Sequence, residues 1–446
     1  MIDRLKGDWP FPAGRVPLFY GWVIWLLSTL GILFSIPGQT MGMGVFTDFF
    51  IDALGLSRTQ LSTAYLIGTI TSALLLTAAG RAYDRYGARA TTCAAAVLLA
   101  LVLLLLADSG RFARQLAAQS GLALHWISLP LICLCYFGVR FSGQGVLTSA
   151  SRNVLLVWFE RRRGLVSGVR GVFVSFGFSL APALLALLID AHGWQRTLVL
   201  LAAATGIGFA FVALIFLRDS PEACGLLPDN GTAVPDGKAP PMLTNPDQTL
   251  RQTQRTGIFW AYSLGLAVHA LFGTAFTFHI VDLFALADRS RDQAFAYFLP
   301  AAIVSTLVNL LFSWLADRIS LKPLLLLMLV MFACGTLGLM LLEKKLGYGL
   351  LVLGYGAGGG LWGVLSNLAF IRHHGRLHLG EISGFNASVT VFASAIGPFL
   401  FSIARAWSGS YLPALWVSMT MITLLFVFAA TVPHNDPVSR RARRAE

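Results

Sequence analysis

Charged residues make up only 12% of this 446-residue chain, about half the share found in ordinary soluble domains. A water-soluble fold cannot cover itself with so little charge when 56% of its residues are hydrophobic and its mean hydropathy is +0.71. The five cysteines (Cys93, Cys133, Cys135, Cys224 and Cys334) stand at no metal-ligand spacing, so they read as small apolar fillers. No polar stretch is long enough to fold as a signalling domain, and no nucleophile stands at a plausible spacing from a base. These absences weigh against an enzyme or a membrane sensor, and neither a metal nor a cofactor is expected.

What the chain does have is a series of apolar runs, each long enough for a helix to cross the ~30 Å hydrocarbon core of a bilayer. Twelve helices are predicted, near 18–42, 58–79, 90–107, 127–156, 163–190, 197–217, 257–284, 294–316, 322–342, 347–370, 382–405 and 410–432. The fold class is therefore an all-α integral membrane protein. The first run is too long for a signal peptide and lacks a small-residue cleavage site, so it is expected to be retained.

The formal charge of +12 follows from topology and calls for no nucleic-acid partner. Of the 33 Lys and Arg, 21 fall in one set of alternate loops and the two tails, nine in the opposite loops, and Arg140, Arg152 and Arg170 within helices. Basic loops stay cytoplasmic, which predicts that both termini lie inside a plasma or inner membrane.

Composition changes sharply from Arg218 to Thr256, where Pro, Asp, Asn and Gly are dense; this reads as a cytoplasmic linker. It divides the chain into a bundle over 1–217, a linker over 218–256, and a second bundle with a basic tail over 257–446. The halves echo one another. Asp84-Arg85 follows the second helix with Arg89 four residues on, and Asp317-Arg318 follows the eighth with Lys322 four residues on. Pro182 precedes Gly193-Trp194 by eleven residues, as Pro398 precedes Gly409-Ser410-Tyr411. Parallel six-helix repeats are a transporter architecture.

The Gly80, Asp84, Arg85, Gly87 and Arg89 pattern resembles the Gly-x-x-x-Asp-Arg-x-Gly-Arg-like signature of the major facilitator superfamily. Two further stretches resemble its monocarboxylate transporter and oxalate/formate exchanger group: Tyr20-Gly21-Trp22, and Trp158-Phe159-Glu160-Arg161-Arg162-Arg163-Gly164-Leu165 running on to Gly168. The resemblance implies two pseudo-symmetric six-helix bundles, alternating access and a small-molecule substrate. The chain departs from the monocarboxylate carriers in helix 8, which lacks their basic residue. It departs from the drug-efflux branch in helix 5, where Phe178-Ser179-Leu180-Ala181-Pro182-Ala183-Leu184 replaces the Gly-Pro-x-x-Gly-Gly-like motif.

An ionisable side chain within the bilayer is a functional candidate because its desolvation is costly. Arg140, Gln144, Thr148 and Arg152 recur every four residues and form a polar stripe on helix 4. Arg140 lies near the membrane centre. It can grip a carboxylate through two parallel hydrogen bonds, or bond backbone and brace the bundle. Its surroundings resemble the superfamily's Arg-x-x-Gln-Gly motif with one extra residue. Arg152 reads as a structural partner of the Asp84 region, and Arg170 as a snorkelling or gate residue. In helix 7, His269 is a candidate for coupling, and His279 and Asp282 are spaced to pair on one face. Gln39 and Thr40, Asn309 and Asn367 are neutral candidates for lining a cavity. Asp84, Arg85, Arg89, Asp317 and Arg318 fit a latch at helix ends. Tyr355-Gly356-Ala357-Gly358-Gly359-Gly360 lacks the Lys-Ser or Lys-Thr of a nucleotide loop and reads as close helix packing.

Deep cations without deep acids favour an anionic substrate. The sequence therefore predicts a monomeric secondary carrier of a small organic anion, a monocarboxylate first, with proton symport. The alternatives are anion exchange and proton-driven export of amphipathic or drug-like compounds.

Overall fold

The computed structural model describes residues 9–230 and 247–433; the extreme tails and most of the linker lie outside the described residues, and with them the expected basic C-terminal tail. Among the described residues the chain contains helices and no strand. Eleven helices among the described residues are long and apolar enough to cross a membrane. One of them, Arg58–Ser120, is 63 residues long and is broken at Gly87, whose φ of 87° and ψ of 170° are not helical. Counted as two, it gives the twelve expected.

We label them α1 (Gly21–Gly44), α2 (58–86), α3 (88–120), α4 (Leu124–Trp158), α5 (Arg163–His192), α6 (Trp194–Phe216), α7 (Gly257–Ala285), α8 (Arg291–Ala316), α9 (Leu321–Met340), α10 (Lys345–His374), α11 (Leu379–Ser408) and α12 (Leu412–Thr431). The helix ends follow local chemistry. Ser57 and Gln60 form a capping box before α2, Ser290 and Gln293 form another before α8, and the Thr256 side chain caps α7. Gly121 and Gly409 end α3 and α11 in the left-handed region. α3 continues thirteen residues past its predicted end at 107. Charged residues do not stop a helix once it leaves the apolar layer, and Asp108 pairs with Arg111 one turn on at 3.7 Å.

The outward side chains are apolar. Leu101 is 58% exposed, Phe211 61%, Leu307 62% and Leu424 66%, the surface of a protein solvated by lipid.

The chain packs into two units. The first comprises Met1–Phe159, Phe173–Lys238 and Ser383–Ser388; the second comprises Glu160–Val172, Ala239–Ile382 and Val389–Glu446. Within each unit, equivalent residues do equivalent work. In the first, Arg89 donates from Nε to the carbonyl of Leu217, the residue that ends α6, at 2.5 Å. In the second, Lys322 donates to the carbonyls of Ala430 and Val432 at the end of α12, at 2.6 and 3.1 Å. Both cations satisfy orphan carbonyls at the negative end of a helix dipole. Gly193 and Gly409, the turn glycines of the other echo, both take positive φ, at 79° and 67°.

The two stretches that resemble the monocarboxylate group meet in the first unit. The Tyr20 ring lies 5.7 Å from Trp158, and Trp22 lies 5.5 Å from Phe159. Tyr20 Oη also donates to the Phe216 carbonyl at 2.6 Å, so this aromatic cluster holds the start of α1 and the end of α4 at the end of α6. Burial raises the Tyr20 phenol above its usual range, which keeps it a neutral donor.

Candidate functional site

In the first unit the site is built where two helices break their regular winding. α1 passes through a single 3-10 turn at Ile36–Gly38 before resuming at Thr40. Pro37 contributes by supplying no N–H. α4 widens into a π-helix from Arg140 to Leu147, the local expansion produced when one residue too many is fitted into a helix. That is the extra residue noted between Arg140 and Gln144. The two irregular stretches touch: a Cβ on Gly38 would lie against the Val139 carbonyl and 2.7 Å from the Gly143 Cα. Only glycine permits that approach.

Arg140 opens the π stretch and is 5% exposed. Its guanidinium donates to the Gly38 carbonyl and to Thr40 Oγ1, each at 3.3 Å, and lies 5.1 Å from the centre of the Tyr65 ring. Thr40 and Tyr65 share a hydrogen bond of 2.7 Å. No carboxylate faces Arg140 among the described residues, and its Nε finds no acceptor. A buried guanidinium is thus balanced by one carbonyl, one hydroxyl and a ring face, through long bonds and with a donor to spare.

Beside it Gln39 donates to Ser35 Oγ at 3.1 Å and to Thr148 Oγ1 at 3.2 Å, while the one hydroxyl proton of Thr148 is shared between Ser35 Oγ at 2.9 Å and the Gly143 carbonyl at 3.1 Å. Thr148 therefore closes the π turn and ties it to α1. Gln144 is half-buried and makes no side-chain hydrogen bond among the described residues. Arg152, a turn further on, is also half-buried with no partner among the described residues, so the expected pairing with the Asp84 region is not made.

In the second unit His269 is half-buried on α7 between two aromatic rings, Phe332 of α9 and Trp362 of α10, each centred 5.1 Å away. Trp362 is held by its Nε1–H on the Leu266 carbonyl at 3.1 Å. The glycine run of α10 sits against this group, for a Cβ on Gly359 would lie 3.7 Å from His269 and 3.5 Å from Ser305 Oγ. Asn309 donates to the Gly360 carbonyl at 3.1 Å. Asn367 donates to the Gly363 carbonyl at 2.7 Å and accepts from Arg170 at 2.8 Å. Arg170 thereby fixes Asn367.

The latch residues are also placed. Asp317 accepts from the backbone N–H of Gly164 and Leu165 at 2.7 and 3.0 Å, capping the first turn of α5 within the second unit. Arg318 stacks on Trp314 at 3.8 Å and bonds its carbonyl. In the first unit Asp84 is half-buried and Arg85 lies exposed over the Tyr86 ring at 5.3 Å. Arg89 is 4% exposed and receives Asp219 at its backbone N–H, at 2.8 Å. Gly87 makes room for that carboxylate, since a Cβ there would lie 2.6 Å from Asp219 Oδ1.

His279 and Asp282 do not pair directly as the spacing suggested. Both instead reach the Tyr411 hydroxyl, and Asp282 takes Arg405 at 2.8 Å. Sequence reading missed Tyr65, Ser35, Phe332, Trp362 and Tyr411. Pro37-Gly38 signalled the break in α1; nothing local marks Tyr411 as a partner of a residue 132 positions away. A cavity of about 790 Å³ lined by Asp52, Arg111, Arg114, Trp194 and Arg196 lies in the first unit, but none of the candidate substrate or latch residues lines it.

The described residues thus form a multi-pass helical membrane protein with a guanidinium held at a broken helix. The chain belongs to the Major Facilitator Superfamily, whose family description matches residues 28–398. It is 25% identical over 257 residues to the hexuronate transporter of Bacillus subtilis, covering 56% of this chain and spanning about half the relative's length, 54%. Among solved structures, the fucose:proton symporter of E. coli matches with a TM-score of 0.64 at 15% identity, covering 94% of this chain and all of that one. An outward-facing bacterial homologue of the iron transporter ferroportin, soaked with iron, matches with a TM-score of 0.68 at 14% identity over 91% of this chain and 98% of its own. The proton:xylose symporter XylE matches at 0.60 and 16%, over 94% of this chain and 97% of its own. At these identities the structures establish the fold.

Proposed function

We propose that this transporter moves a small organic anion bearing one carboxylate, with proton symport, by alternating access of its two halves. The observation that carries the reading is Arg140: a buried cation with no carboxylate facing it among the described residues and an unspent donor is a half-made ion pair, which a substrate carboxylate completes through two parallel hydrogen bonds. Gln144 and His269 supply neutral polar contacts for the rest of the solute. A relative named for hexuronates, which are sugar acids with one carboxylate, supports the same chemistry. The names of two fold neighbours as proton symporters support the coupling. On this reading the carrier works as a monomer in the cell membrane, with both termini cytoplasmic, and Asp84, Arg85, Arg89, Arg152, Asp317 and Arg318 serve the conformational change.

A second reading, export of amphipathic compounds, is favoured by one feature. An apolar cleft of about 510 Å³ in the first unit, lined by Ala94, Leu98, Phe141 and Val146, ends at Arg85 and Arg89.

The test is internal pH in proteoliposomes of the purified protein while hexuronates and smaller monocarboxylates are added outside, with and without an imposed pH gradient. Acidification that depends on solute, is absent from empty liposomes and is lost in Arg140→Ala supports anion–proton symport. Uptake without acidification but dependent on an internal anion moves the assignment to exchange. No uptake of any carboxylate, with extrusion of an amphipathic dye, moves it to export.

A further inference from the structure

His279 sits near the end of α7 remote from the linker, within the second unit, where α7, α11 and the head of α12 converge. Its Nε2 lies 3.1 Å from the Pro398 carbonyl and 3.3 Å from Ser402 Oγ, and its Nδ1 lies 3.1 Å from Tyr411 Oη. Tyr411 Oη lies 2.8 Å from Asp282 Oδ2, the same oxygen that receives Arg405 Nε at 2.8 Å. Arg405 also bonds the Gly409 carbonyl at the end of α11. Phe401 stacks on the imidazole at 6.2 Å.

The proton inventory of this chain of bonds is decisive. A carbonyl only accepts, so Nε2 must carry a proton to satisfy Pro398. A carboxylate only accepts, so the single phenolic proton of Tyr411 must point at Asp282. Nδ1 then faces a phenolic oxygen whose proton is spent, and must itself donate. A neutral ring protonated on Nε2 alone forces Tyr411 to turn its proton to Nδ1, leaving two oxygens face to face at 2.8 Å. A neutral ring protonated on Nδ1 alone lets Ser402 Oγ donate to Nε2 but sets that nitrogen's lone pair against the nearer Pro398 carbonyl at 3.1 Å. Only the imidazolium, with its Nε2–H shared between Pro398 and Ser402, leaves no two acceptors face to face.

We propose that His279 is a proton-binding site, and that proton occupancy fastens the ends of α7, α11 and α12 to one another through Tyr411. Among the described residues the titratable or charged groups facing it are Asp282 on α7, Arg405 on α11 and Tyr411 before α12, so one carboxylate and one guanidinium already neutralise each other and the arriving proton is shared with their network. The site is open to its surroundings: the Arg405 and Asp282 side chains are 37% and 45% exposed. As the proton-loading step of symport the site rests on the function proposed above. The fastening itself does not, and it is measured without any solute.

The experiment is amide hydrogen exchange of the full-length protein in lipid nanodiscs between about pH 8 and about pH 5, the range through which imidazole titrates, corrected for the intrinsic pH dependence of exchange. In the wild type, peptides covering 274–286 and 398–415 are expected to gain roughly tenfold protection on acidification. His279→Gln and Tyr411→Phe should each abolish that gain, while His125→Gln keeps it. Tyr411→Phe retains the ring and its packing, so loss in that variant reports the hydroxyl relay and not a collapsed helix end. Acid-dependent protection that persists in both His279→Gln and Tyr411→Phe, or that is absent from the wild type, overturns the proposal. Failure of the carboxylate panel with this protection intact overturns the solute assignment alone.

Discussion

Arg140 separates two kinds of contact that a guanidinium can make. Its bonds to Gly38 and Thr40 are long and go to neutral acceptors, whereas a carboxylate offers two short, parallel, charge-assisted bonds. Lysine keeps the charge but not the fork. Arg140→Lys is therefore expected to fold and reach the membrane in normal amount, yet to lose roughly 10- to 100-fold in apparent affinity for the carboxylate. That is the equivalent of removing one charge-assisted bond worth about 1.5–3 kcal/mol. Concentration-dependent uptake in proteoliposomes checks this; an unchanged half-saturation concentration assigns Arg140 to bracing.

At the scale of the element, the eight residues Arg140–Leu147 of α4 are the distinctive feature. Removing Phe141 restores the Arg-x-x-Gln-Gly spacing and allows ordinary α winding. It also removes the bulge that brings Gly143 against Gly38, while the residues beyond stay close to their register. The expected result is a helix at least as stable, since a π turn is the less favoured winding, in a carrier that no longer moves its solute because the contact of the bulge with Gly38, beside Arg140, is lost. Thermal unfolding and uptake measured on the same preparation check both halves of that expectation. Such a bulge is hardly legible beforehand: period-four spacing of Arg140, Gln144, Thr148 and Arg152 reads as one stripe whether the winding is α or π, and only the surplus residue hinted otherwise. Apolar runs, by contrast, fix their own state, because a bilayer leaves the backbone no partner but itself. The spans were therefore readable, as were the turn glycines 193 and 409. The His279–Tyr411 contact was not, because it forms across helices and leaves no periodic trace.

For the whole molecule, the distribution of Lys and Arg makes an orientation testable. In a cysteine-free background, a single cysteine at Arg289 or Arg196 should react with a membrane-impermeant maleimide added to intact cells, and one at Arg251 only after the membrane is opened; the reverse pattern inverts the topology. The same scale gives meaning to the modest partners of Arg140. A carrier spends part of every cycle empty, and a buried cation that depended wholly on its cargo would be stranded each time the cargo left. Here a carbonyl, a hydroxyl and the face of Tyr65 keep the guanidinium company and, on the proposed function, stand in for the departed anion. On the proposed function, the unloaded protein can make the return journey alone, so solute accumulates on one side and is not merely swapped for its like.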